Sequence, residues 1–141
     1  MPDNKAKSCE ILLEVPFYDL DPLQVVWHGN YLKYFDRARS ALFDSCGIDL
    51  YNFYEKTCYI FPVTKTTVKY VYPLRHRDKF LCRATMVEAR FKVVMDFEIR
   101  LAGDGRLCTR GRSEQVAVKT PEMEIQLKVP DEICVQLGFT P

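Results

Sequence analysis

One stretch of this chain repeats with the period of a helix, while most of the rest alternates in twos. From Tyr31, apolar side chains recur at Tyr31, Phe35, Ala38, Leu42 and Cys46, a spacing that predicts an amphipathic helix stopped by Gly47. Leu32, Tyr34 and Ala41 widen the apolar stripe, and Lys33, Asp36, Arg37 and Arg39 are expected on the solvated remainder. A stripe that wide predicts a helix nearly engulfed by other structure.

The segments around it read as sheet. Ile11, Leu13, Val15 and Phe17 alternate as one face of a half-buried strand. Tyr51 to Thr57 reads as a connector with a short helical turn, and Cys58 to Tyr72 as one strand rich in β-branched and aromatic residues. The run Pro73-Leu74-Arg75-His76-Arg77-Asp78 breaks it. Phe80, Cys82, Ala84 and Met86 share a face of the next strand, and Lys92 to Leu101 alternates most regularly of all. Gly103-Asp104-Gly105 predicts a hairpin turn into a return strand from Arg106 to about Lys119, and Pro130 to Leu137 a short terminal helix. The order is a strand, a long helix, then four strands in meander-like succession. That is an α+β chain with helices segregated from an antiparallel sheet. With no repeat, linker or low-complexity tract, residues 1–141 are expected to form one domain.

Composition removes several functions. A net charge of +1 argues against a general nucleic-acid binder, which needs a basic excess. No apolar run approaches the roughly 20 residues of a membrane span, so no membrane partner is expected. The polar start Met1 to Ser8 lacks the apolar centre of a signal peptide, which predicts a cytoplasmic protein. There the six cysteines would stay reduced; they are scattered singly beside only two histidines, so no metal site is expected. No serine sits in a G-x-S-x-G elbow, and no phosphate-binding or dinucleotide loop occurs.

The chemistry concentrates before the helix. Asp21 precedes Pro22 and is biased to extended geometry, in an apolar loop a few residues ahead of a helix start at Gly29-Asn30. A helix N-terminus offers unpaired N–H groups and partial positive charge, and a carboxylate beside it is a minimal kit for attack on an activated acyl group. From the residues alone, the commoner role for an aspartate before proline is a turn carboxylate satisfied by nearby N–H groups. Asp19, two residues earlier, is expected to be its structural neighbour in the turn. The run Tyr18-Asp19-Leu20-Asp21-Pro22, Val25-Val26-Trp27-His28-Gly29-Asn30-Tyr31-Leu32 and Phe35-Asp36-Arg37-Ala38-Arg39, with Phe61-Pro62-Val63 and Tyr72-Pro73-Leu74-Arg75 further on, resembles the hotdog-fold acyl-CoA thioesterases of the 4-hydroxybenzoyl-CoA thioesterase/YbgC-like group.

The resemblance implies a five-stranded antiparallel sheet wrapped around one long central helix. It implies hydrolysis of acyl-CoA, or of an acyl-carrier-protein thioester, with Asp21 as nucleophile or general base. A non-catalytic acyl-binding protein of the same fold is the third alternative. The backbone N–H of His28 would polarise the carbonyl, helped by the close approach Gly29 permits, and the His28 imidazole is a further candidate. Asn30 would cap the helix or orient Asp21; Trp27 and Tyr31 would line the acyl slot or simply pack. Within the basic group Lys65, Lys69, Arg75, His76, Arg77, Lys79 and Arg83, the loop residues Arg75 and Arg77 are the candidates for coenzyme A phosphates. No cofactor is implied. The group often carries a glycine shortly after the aspartate, where this chain has Leu23-Gln24. A homo-oligomer, dimer or tetramer, is expected from exposed sheet edges.

Overall fold

The computed structural model describes residues 6–141; the first five, which open the polar run read above, lie outside the described residues. Strand β1 (Ser8–Glu14) alternates as expected, with Cys9, Ile11 and Leu13 half-buried. Beyond buried Val15 the alternation fails. Pro16 leads into a single 3-10 turn at Phe17–Asp19, and Phe17, expected on the inner face, is 71% exposed. The turn closes by the Asp19 N–H donating to the Pro16 carbonyl at 3.1 Å.

Helix α1 spans Tyr31–Ser45 and buries Tyr31, Tyr34, Phe35, Ala38, Leu42 and Phe43. Gly47 follows in the left-handed conformation at φ +73°, which ends the helix without steric cost. Two expectations for this helix are reversed. Leu32 is exposed, while Arg39 is buried. Arg39 stands one turn from both Phe35 and Phe43, so its position faces the sheet whatever its charge. Its guanidinium lies 5.4 Å over the Phe97 ring, pairs with Asp36 and donates to Ser113 Oγ at 2.8 Å. Burial lowers its pKa and Asp36 opposes that shift.

Where a connector was expected, α2 (Leu50–Thr57) is a full helix, because Asp49 caps it by accepting from the Tyr51 and Asn52 N–H groups. The segment read as one strand from Cys58 to Tyr72 is two, β2 (Tyr59–Ile60) and β3 (Val63–Tyr70). Pro62, which has no N–H to give a ladder, marks the step between them. Next come β4 (Lys79–Glu88), β5 (Val93–Leu101), β6 (Leu107–Gln115), β7 (Val118–Lys119), β8 (Glu124–Ile125) and helix α3 (Asp131–Gln136). The return strand expected to reach Lys119 thus divides into β6 and β7.

The main sheet is antiparallel in the order β1-β4-β5-β6-β3, and β2, β7 and β8 form a small second sheet. Only β4 to β6 form a meander. Since β1 occupies the free side of β4, β3 pairs with β6 at the far edge instead of with its successor. Helix α1 packs across β1, β4 and β5. Phe35 stacks on Phe97 at 4.6 Å between centroids, directly beneath which β6 carries Gly111, paired with Phe97. A Cβ there would come within 2.5 Å of the Phe35 ring, so the helix can approach the sheet only over glycine. Fully covered side chains such as Phe35, Leu42 and Phe80 each stabilise this layer by about 1.5–3 kcal/mol. The architecture is the hotdog fold. Among the described residues no helix is long and apolar enough to cross a membrane, and all six cysteines are free thiols.

Candidate active site

Residues 19–27 form a small hairpin ahead of α1. Leu20 bridges Val26, the Asp21 N–H donates to the Val25 carbonyl at 2.8 Å, and the Gln24 N–H returns to the Asp21 carbonyl at 2.9 Å. Gln24 takes φ +64°, a left-handed conformation that favours glycine, at the point where the resembled group often has one. One Asp21 oxygen accepts the Leu23 N–H at 2.8 Å, as a turn carboxylate does. The other oxygen has no partner among the described residues.

The start of the helix lies beside this carboxylate. The Asn30 N–H donates to the Trp27 carbonyl at 2.9 Å, and the Tyr70 hydroxyl to the His28 carbonyl at 2.8 Å. Each carbonyl belongs to the same planar peptide as the following N–H, which points the opposite way. Pinning the two carbonyls therefore aims the His28 and Gly29 N–H groups, and neither has an acceptor among the described residues. They add to the positive end of the α1 dipole. The Trp27 indole lies across Gly29, 2.2 Å from where a Cβ would stand, so a side chain here would push the half-exposed ring aside. Asn30 does not cap the helix. It is itself helical, and its Nδ2 donates to the Asp19 carbonyl at 2.9 Å.

Asp21, His28 and Tyr31 line one hollow of about 270 Å³ with Val26, Tyr70 and Tyr72. Trp27, Gly29 and Asn30 are not among the residues that line it. The His28 imidazole is exposed, 5.1 Å from the Trp27 ring and 6.3 Å from Tyr70 between centroids. Tyr31 accepts the Leu74 N–H on its hydroxyl at 3.1 Å, and burial raises its pKa, so it stays a neutral phenol at physiological pH.

The basic group read from the sequence does not gather in one place. Lys65 and Lys69 ride on β3, while Arg83 lies on β4, three strands away, paired with Glu10 at 2.9 Å. Arg75 remains near the hollow: its Nη1 donates to the Tyr72 hydroxyl at 3.2 Å. Arg77 takes φ +62° and donates its N–H to the Val15 carbonyl at 3.2 Å. Three residues of the site carry no mark in the sequence pattern. Tyr70 and Tyr72 read as ordinary strand aromatics, and Arg106, whose guanidinium sits 3.9 Å over the Tyr72 ring, reads as the first residue of the return strand. Among the described residues no three His, Cys, Asp or Glu side chains gather to hold a metal ion.

Residues 15–137 match the thioesterase-like superfamily. The chain belongs to this family. A Bacillus subtilis relative named "Putative acyl-CoA thioesterase YneP" is 27% identical over 107 residues, 75% of this chain and 76% of its own length. The 4-hydroxybenzoyl CoA thioesterase of Pseudomonas sp. strain CBS-3 superposes with a TM-score of 0.82 at 21% identity, over 94% of this chain and 99% of the other. Slr0204, a 1,4-dihydroxy-2-naphthoyl-CoA thioesterase from Synechocystis, superposes with a TM-score of 0.84 at 20% identity, over 92% of this chain and 95% of that one. At such identities the solved structures speak for the fold.

Proposed function

We propose that this chain, as one domain over residues 1–141, hydrolyses acyl-coenzyme A thioesters to the free acid and coenzyme A. The observation that carries the reading is the hollow that Asp21 and His28 both line, Asp21 with one carboxylate oxygen that accepts no hydrogen bond and His28 with an N–H that has no acceptor among the described residues. In this mechanism the thioester carbonyl oxygen rests against the His28 N–H, which strengthens its hold as charge develops on that oxygen. Asp21 then acts on the carbonyl carbon, either by direct attack to give a mixed anhydride that water hydrolyses, or by taking a proton from an attacking water. Coenzyme A leaves as a thiolate in both courses. No step calls on a metal or redox cofactor. The family membership and the names of its relatives support thioester chemistry. The test is hydrolysis of aromatic, short-chain and long-chain acyl-CoAs by purified protein, beside the same acyl groups on acyl-carrier protein. Turnover of some acyl-CoA is expected, while tight binding without turnover would make the protein an acyl-binding module.

The same reading makes the protein a cytoplasmic homo-oligomer, dimer or tetramer. The five-stranded sheet ends in β3 on one side, with Val63 and Tyr70 exposed, and in β1 on the other. Such edges are templates for pairing with another copy. Sedimentation of a monomer at micromolar concentration would contradict it.

A further inference from the structure

We propose that Asp19, Lys33 and Tyr34 form a positioning clamp that holds the Asp21 loop against helix α1, an inference that rests on the hydrolase reading above. Asp19 is 2% exposed. One of its carboxylate oxygens accepts the Tyr34 hydroxyl at 2.5 Å, and the other accepts the Lys33 ammonium at 2.7 Å. Its main-chain carbonyl accepts the Trp27 N–H and Asn30 Nδ2, both at 2.9 Å. One residue is thus fastened to the helix through its side chain and to the far end of its own loop through its backbone. The segment closed between Asp19 and Trp27 is the one that presents Asp21.

The two helix partners differ in how freely they move. Tyr34 is locked in the core, with its ring 4.9 Å from that of Phe80 and 6.0 Å from that of Tyr31 between centroids. Lys33 reaches in from a half-exposed position. Burial, and then the hydrogen bond to Asp19, raise the Tyr34 pKa, so its proton stays on the phenol and is always donated to the carboxylate. A buried carboxylate that loses a donor must admit water or leave the interior. With Tyr34 fixed in the core, the turn carrying Asp19 is the part that yields, and Asp21 moves with it. A catalytic group displaced by about 1 Å costs on the order of 10²-fold in rate. The clamp therefore converts the cost of burying a charge into placement of the catalytic carboxylate.

Trp27 is the sole tryptophan of the chain and hangs from Asp19 by its N–H, so its fluorescence reports the loop independently of turnover. Tyr34→Phe, Lys33→Met and Lys33→Arg are compared well below their melting temperatures. For Tyr34→Phe, kcat should fall by at least about 10-fold with KM within about twofold, and acrylamide quenching of Trp27 should rise by about twofold or more. Lys33→Met, which leaves no hole in the core, should shift both readouts the same way by less, and Lys33→Arg should restore them. Wild-type kcat and wild-type quenching in a folded Tyr34→Phe or Lys33→Met protein, with only the melting temperature lowered, would overturn the clamp. Absence of turnover in every form would instead defeat the hydrolase reading, and the quenching comparison would still decide the clamp.

Discussion

The Tyr70 hydroxyl, on the edge strand β3, donates to the main-chain carbonyl of His28 at 2.8 Å, across 42 residues of sequence. That bond fixes the peptide joining His28 to Gly29 and so anchors the turn whose His28 N–H meets the thioester in the proposed mechanism. Polar groups held in place before reaction stabilise a developing oxyanion without having to reorganise during it. A ring without its hydroxyl still packs against Tyr31 and His28 but releases the peptide. Tyr70→Phe should therefore lower kcat by roughly 10-fold, about the worth of one hydrogen bond, with KM little changed. Steady-state kinetics on an acyl-CoA substrate checks this, and an unchanged kcat would remove Tyr70 from the account.

The left-handed Gln24 gives a second prediction, for stability. A side chain at φ +64° bears a steric penalty that glycine does not. Gln24→Gly should gain roughly 0.5–1 kcal/mol after allowing for the greater freedom of glycine in the unfolded chain. For a domain of this size that raises the melting temperature by about 2–4 °C. Calorimetry checks it, and a fall in melting temperature would mean that the Gln24 side chain makes a compensating contact.

Arg75, Tyr72 and Arg106 place two guanidinium groups against one aromatic ring at the side of the hollow, and Arg77 stands exposed in the adjoining loop. If Arg75 and Arg77 meet the phosphates of coenzyme A, replacing both with Ala should raise KM for acyl-CoA about 10-fold while leaving kcat nearly unchanged. The defect should shrink on an acyl-pantetheine substrate that lacks the nucleotide. An equal loss on both substrates would assign the pair a structural role.

The helix and the most regular strands were legible because burial imposes a period on them. Phe35, Ala38 and Leu42 repeat with the helix, and Val93, Met95, Phe97 and Ile99 with the pleat, all of them buried. Arg39 defeats that logic, since position on the helix buries it while Asp36, Ser113 and the Phe97 face accommodate its charge. The pairing of β3 with β6 is a tertiary choice that no local pattern encodes. Within the site, Asp21 stood out through its own neighbours in sequence. Tyr70 and Tyr72 reach the same hollow only because the sheet carries its far edge back to the helix start, so their side chains left no local signature. Asn30 looked like a cap and instead braces the Asp19 carbonyl, because the preceding 3-10 turn at His28–Asn30 makes Asn30 already helical.

The central claim is that the free oxygen of the Asp21 carboxylate acts on the thioester. Asp21→Asn keeps the shape of the side chain and can still accept the Leu23 N–H, so the loop should fold and bind. It removes the charge, the nucleophilicity and the basicity together. Measured on the best acyl-CoA substrate, turnover by Asp21→Asn should fall by at least about 10²-fold, with KM unchanged or lower. Near-wild-type hydrolysis by a folded Asp21→Asn protein would contradict the account.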